Sequence, residues 1–124
     1  MTKQKGALAI YEHVIRLNVY CRNQLKIYEP SIYLNFKYNT KTHDLAVYTS
    51  VTKQHHNSYL VNMPKKYDSD QGIMVRNNQA VKVLRQLVEQ PDNSTILKYP
   101  LDQIVKINDS KKSALLFNLS KQIN

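Results

Sequence analysis

SIYLNFKYNTKTHDLAVYTSVT, residues 31–52, is the stretch from which the fold can be read. In SIYLNFKY (31–38), Ile32, Leu34, Phe36 and Tyr38 alternate with Tyr33, Asn35 and Lys37; in LAVYTSVT (45–52), Leu45, Val47 and Val51 are opposed to Tyr48 and Ser50. Strict alternation marks a half-buried strand, because successive side chains point to opposite faces of a sheet. The intervening NTKTHD is turn chemistry, so the two runs form a hairpin. If Tyr38 pairs with Leu45, Lys37 lies opposite Ala46 and Asn35 opposite Tyr48. One face is then core, and the other is a polar, aromatic, basic surface holding Tyr33, Asn35, Lys37 and Tyr48.

Outward from the hairpin, SYLVNM (58–63) and IMVR (73–76) read as further strands, and STILKY (94–99), QIVKIN (103–108) and ALLFNLS (114–120) as three more, separated by Pro100 and by NDSKK. NNQAVKVLRQLVEQ (77–90) is a helix, with Ala80, Val83, Leu84 and Leu87 as its buried stripe. Asn77 or Asn78 caps its start and Pro91 stops it. Residues 7–28 fit two periods. Ile10, Val14, Leu17, Cys21 and Leu25 form a helical stripe, while Ile15, Leu17, Val19 and Cys21 alternate with Arg16, Asn18, Tyr20 and Arg22. The β-branched and aromatic content of Val14–Tyr20 favours a strand there, after a helical turn. The expected fold is α+β: a mainly antiparallel curled sheet or small pseudo-barrel with one or two helices, in a single domain spanning 1–124.

Eighteen Lys and Arg against nine Asp and Glu give a net charge of +9. Residues 1–62 contribute +5 and residues 63–124 contribute +4, and the longest basic runs are the pairs Lys65-Lys66 and Lys111-Lys112. The charge therefore belongs to the folded domain and is not a tail. Such a domain most often meets a polyanion, although high charge also keeps a small protein soluble. Only two glycines occur, Gly6 and Gly72, which excludes the P-loop and dinucleotide-binding fingerprints. Cys21 is the sole cysteine, so no internal disulfide can form and a reducing, cytoplasmic compartment is expected. The amino-terminal apolar run is interrupted by Glu12 and His13, too early for a secretory signal. Nowhere are there about 18 consecutive apolar residues, so no membrane span is expected.

Between Lys26 and Tyr67 the chain holds Tyr28, Tyr33, Phe36, Tyr38, Tyr48, Tyr59 and Tyr67, with six lysines and only two acids, Glu29 and Asp44. Strand-borne aromatics stack unpaired bases while neighbouring lysines meet phosphates, which suits single-stranded RNA or DNA. Tyrosine also favours strands for packing reasons alone. The expected contact set is Tyr33, Asn35, Lys37, Tyr48, Lys53, Lys65 and Lys66, with Arg76, Lys82 and Arg85 from the helix region. A metal-independent ribonuclease is the catalytic alternative, with His55 or His56 as acid and base and Lys53 or Lys65 stabilising the phosphorane. A protein-interaction or oligomeric regulator without nucleic acid is another. His13, His43, His55, His56 and Cys21 lack zinc-ligand spacing, and Asp68-Ser69-Asp70-Gln71-Gly72 departs from the calcium-loop pattern at Ile73 and Gln79. Neither metal nor cofactor is expected.

In size, basic charge, tyrosine-rich strands and the succession NQAVKVLRQLVEQ, ILKYPLDQIVKIN, the whole chain resembles the small PrgU-type proteins of Gram-positive conjugative plasmids. The resemblance implies a PUA-like pseudo-barrel of the kind found in RNA-binding modules. It also implies a regulator restraining conjugation and surface-adhesin genes. The sparse glycines depart from the glycine-bearing loop that many PUA domains place near RNA.

Overall fold

Residues 6–27, 31–62, 72–88, 96–107 and 112–122 are described by a computed structural model. Their strands are β1 (Ala7–Ile10), β2 (Ile15–Leu17), β3 (Ser31–Asn39), β4 (Asp44–Ser50), β5 (Ser58–Asn62), β6 (Ile73–Val75), β7 (Leu97–Lys106) and β8 (Ser113–Asn118); the helices are α1 (Val19–Leu25) and α2 (Asn78–Leu87). All pairings are antiparallel, in the order β5-β3-β4-β8-β7-β1-β2-β6. The sheet curls until its edge strands β5 and β6 touch, giving the expected α+β pseudo-barrel. Period-2 burial explains the curl. Leu8, Ile10, Ile15, Leu17, Ile32, Leu34, Phe36, Leu45, Val47, Ile73, Val75, Leu97, Tyr99, Leu115 and Phe117 all turn inward into one apolar cluster.

The hairpin has the anticipated register: Tyr38 pairs with Leu45, Lys37 with Ala46 and Asn35 with Tyr48. Its turn is built by Asn39, whose Oδ1 accepts from the Lys41 and Thr42 amides at 2.9 and 3.3 Å, and by His43 in the left-handed region at φ 64°.

Two expectations are corrected. In residues 7–28 the strand comes first and the helix second. Asn18 is the pivot: it is extended, and its Oδ1 accepts from the Cys21 amide at 3.2 Å, which starts α1. Cys21 and Leu25, four apart, then bury together, so packing overrides the strand preference of Val19 and Tyr20. The second correction concerns Pro100, which does not divide β7. It stands where the strand changes partners, with Leu97–Pro100 against β1 and Leu101–Lys106 against β8, so its missing N–H costs little pairing. A bulge between Leu101 and Gln103 eases the same transition.

The two helices attach to opposite ends of β1. The Cys21 thiol of α1 donates to the Ala7 carbonyl at 3.8 Å, and the Arg85 guanidinium of α2 donates to the Ile10 carbonyl at 3.3 Å. Asn77 caps α2, accepting from the Ala80 amide at 3.0 Å. The buried face of α2 is Ala80, Val81, Leu84 and Arg85. Val83 and Leu87 are only half-buried, so the helix is rotated by about one residue from the stripe read in sequence. Pro91 lies outside the described residues.

Where β6 meets β2 the backbones approach too closely for a side chain: a Cβ on Gly72 would stand 2.0 Å from the Leu17 carbonyl oxygen. Gly72→Ala is therefore expected to lower unfolding free energy by roughly 1–3 kcal/mol, as overpacking does. Lys26, the α1 cap at φ 54°, is a left-handed lysine, and Lys26→Gly should raise stability by about 1 kcal/mol. Urea unfolding of the two variants checks both signs.

Candidate nucleic-acid interface

Tyr33, Asn35, Lys37 and Tyr48 do share the outward side of the β3–β4 hairpin, but they do not form an open platform. The strand order β5-β3-β4 requires the connection after β4, residues 51–57, to cross β3. It crosses over Asn35, which is fully buried and so cannot meet a ligand as the sequence suggested. The Asn35 carboxamide instead holds the crossing in place. Its Nδ2 donates to the Tyr48 carbonyl at 3.2 Å and to Ser50 Oγ at 3.0 Å, while Ser58 Oγ donates to its Oδ1. Ser58 Oγ accepts in turn from the Gln54 and His55 amides at 3.1 and 3.3 Å. Each polar group that the crossing buries thereby gains a partner.

Tyr33 and Tyr48 flank this crossing and are half-buried. The Tyr48 hydroxyl lies 3.4 Å from His55 Nε2, and His55 Nδ1 accepts from the Asn57 amide at 3.1 Å. Both ring nitrogens of His55 are thus engaged within the crossing, while His56 is exposed. Lys37 is exposed beside a cleft of about 620 Å³ lined by Tyr38, Lys41, Ala46 and Leu116 among others. Lys53 is exposed on the crossing itself. Lys65 and Lys66, with Tyr28, Tyr67 and Asp68–Gln71, lie outside the described residues.

Of the three cations expected around α2, Arg76 and Lys82 are exposed and Arg85 is not. Arg85 is only 2 % exposed, its guanidinium turned toward the Ile10 carbonyl and close enough to Tyr99 for its charge to act on that phenol. The rotation of α2 places it on the core side, where it supports the fold and does not face solvent. Burial pushes the Tyr99 phenol up, and the Arg85 charge partly offsets that rise. Beside α2 is a cleft of about 420 Å³ whose wall includes Glu12, His13, Asn78 and Lys82. There His13 places Nδ1 2.9 Å from Asn78 Oδ1 and Nε2 3.0 Å from Glu12 Oε1.

The sheet also presents cations that sequence reasoning missed. Arg16 on β2 and Lys98 on β7 are exposed, and both pair with Ala9 of β1, one from each side. Alternation with Ile15 and Leu17, and with Leu97 and Tyr99, marked each as outward. Their adjacency required the pairing of strands some 80 residues apart in sequence.

Among the described residues the anionic side chains are already engaged. The described residues hold three carboxylates: Glu12 faces His13, Asp44 accepts from Asn118 Nδ2 at 3.1 Å, and Asp102 lies 3.7 Å from Lys121. Arg16, Lys26, Lys37, Lys41, Lys53, Arg76, Lys82, Lys98 and Lys106 are exposed and form no ion pair among the described residues. Comparison with protein-family models, with curated proteins and with solved structures gives no match.

Two outcomes test this description. Asn35→Ala strands the groups it bonded and should cost roughly 1–3 kcal/mol in urea unfolding, with faster amide exchange at Gln54 and His55. Burial pushes the Cys21 thiol up to about 11 from 9.0, so the unfolded chain releases its proton first as pH rises. The contribution of this thiol to stability is full below pH 9 and is lost between 9 and about 11. Comparing the pH dependence of unfolding in wild type and Cys21→Ala isolates it. At about pH 8 the native thiol should not react with Ellman's reagent until urea is added.

Proposed function

We propose that this chain is a non-catalytic nucleic-acid-binding protein whose first ligand is RNA and whose second is single-stranded DNA. The observation that carries the reading is the electrostatic imbalance at the surface. Nine exposed lysines and arginines, from Arg16 to Lys106, have no anionic partner among the described residues, while each described carboxylate is engaged. Uncompensated cations on a small domain sum to a long-range positive potential that draws in polyanions and releases their counterions on contact. Capture is electrostatic, through phosphates and not through the covered hairpin face.

The ribonuclease alternative needs a histidine free to shuttle protons, and both nitrogens of His55 are used inside the crossing. That removes His55 from the role and leaves the exposed His56 for it. The biological role proposed alongside RNA binding is cytoplasmic, post-transcriptional restraint of conjugation and surface-protein genes. That role rests on the resemblance to PrgU-type proteins.

Fluorescence polarisation with a labelled single-stranded RNA tests the reading. Affinity should fall at least tenfold between about 50 and 200 mM salt. The RNA should remain intact after incubation without added metal. Salt-independent binding, or none, overturns the proposal; cleavage lost in His55→Ala or His56→Ala returns the ribonuclease.

A further inference from the structure

We propose that the RNA backbone is held on the outward face of β7, β1, β2 and β6, through Lys98, Arg16 and Arg76, and not on the β3–β4 hairpin. The inference rests on the RNA-binding reading and names its surface. The register places Lys98, Ala9, Arg16 and Met74 in one row across four strands. Their chain neighbours Leu97 and Tyr99, Leu8 and Ile10, Ile15 and Leu17, Ile73 and Val75 are all buried, so the row is turned outward by the pleat.

Ala9 contributes only a methyl group, itself just 8 % exposed, between two exposed cationic side chains. They stand two strand spacings apart, about 10 Å. Arg76 follows Met74 on the same outward alternation and is exposed just before α2. No acid occurs in β1, β2, β6 or the β1-paired part of β7. In the adjoining turn, Glu12 is held by His13.

The hairpin face differs on each count: Asp44 lies on it, and residues 51–57 cover its centre. The proposed row consists of Lys98, Ala9, Arg16 and Met74, followed by Arg76, and the only hydrogen-bonding groups among them are cationic. It therefore fits phosphates and selects little among sequences.

Two double variants that remove equal charge test the placement. Against a labelled single-stranded RNA, Arg16→Gln/Lys98→Gln should bind at least tenfold more weakly than wild type. Its log K against log salt slope should be shallower by about 1.4, as loss of two single-strand phosphate contacts requires. Lys37→Gln/Lys53→Gln should stay within about threefold, having lost the same net charge away from the proposed surface. Equal losses in the two variants, or a larger loss in the second, overturn the placement while leaving RNA binding intact. Failure of the wild type itself to bind RNA overturns the functional reading and the placement together. Because Arg16 pairs across two strands, a second measurement guards against misfolding: 4-thiouridine crosslinking of the wild type, mapped by mass spectrometry. Crosslinks in residues 7–17 and 96–100 support the placement, and crosslinks confined to 31–58 overturn it.

Discussion

The crossing of residues 51–57 over β3 is the constraint on which the rest of the molecule depends. β4 and β5 run on opposite sides of β3, so the chain must pass across the sheet's outer face within seven residues. Such a passage brings backbone donors and acceptors against a surface that cannot hydrogen-bond through aliphatic side chains. Asn35 resolves this with one carboxamide, which donates to Tyr48 and Ser50 and accepts from Ser58. With the crossing secured, β5 becomes the edge that meets β6, and the sheet closes around its core.

That geometry also sorts the basic residues. Arg85 is taken up by the fold, its guanidinium buried at the end of β1 and donating to the Ile10 carbonyl. The cations on outward strand positions and turns remain at the surface. The net charge is therefore not evenly usable. It acts where alternation points it to solvent and where no carboxylate among the described residues stands opposite, a condition met by Arg16 and Lys98 on either side of Ala9. The tyrosines that drew attention in the sequence serve the crossing at least as much as the solvent, with Tyr48 placed against His55.

The parts of this architecture legible in the sequence are those with local causes. The hairpin could be read to the residue because both strands keep period 2 and the turn between them is rich in Asn, Thr and Asp. The helix was legible for the same reason, with its cap narrowed to Asn77 or Asn78, of which Asn77 makes the bond. Residues 7–28 were ambiguous because two periods fit the same letters, and the choice fell to packing of Cys21 and Leu25. Pro100 reads as a break in isolation; inside the fold it occupies the changeover of partners, where its missing donor matters least.

The sequence by itself determined the α+β class, the hairpin register, the outward direction of Lys37 and the excess of positive charge, because alternation, turn chemistry and composition are local properties of the chain. Only the tertiary structure decided that Asn35 and Arg85 are buried and that Arg16 and Lys98 flank the same alanine. Those outcomes depend on contacts of Asn35 with Ser58, of Arg85 with Ile10 and of Lys98 with Ala9, which join segments far apart in the chain. Burial and adjacency follow from which strands pair, and pairing is settled by the closing of the whole sheet.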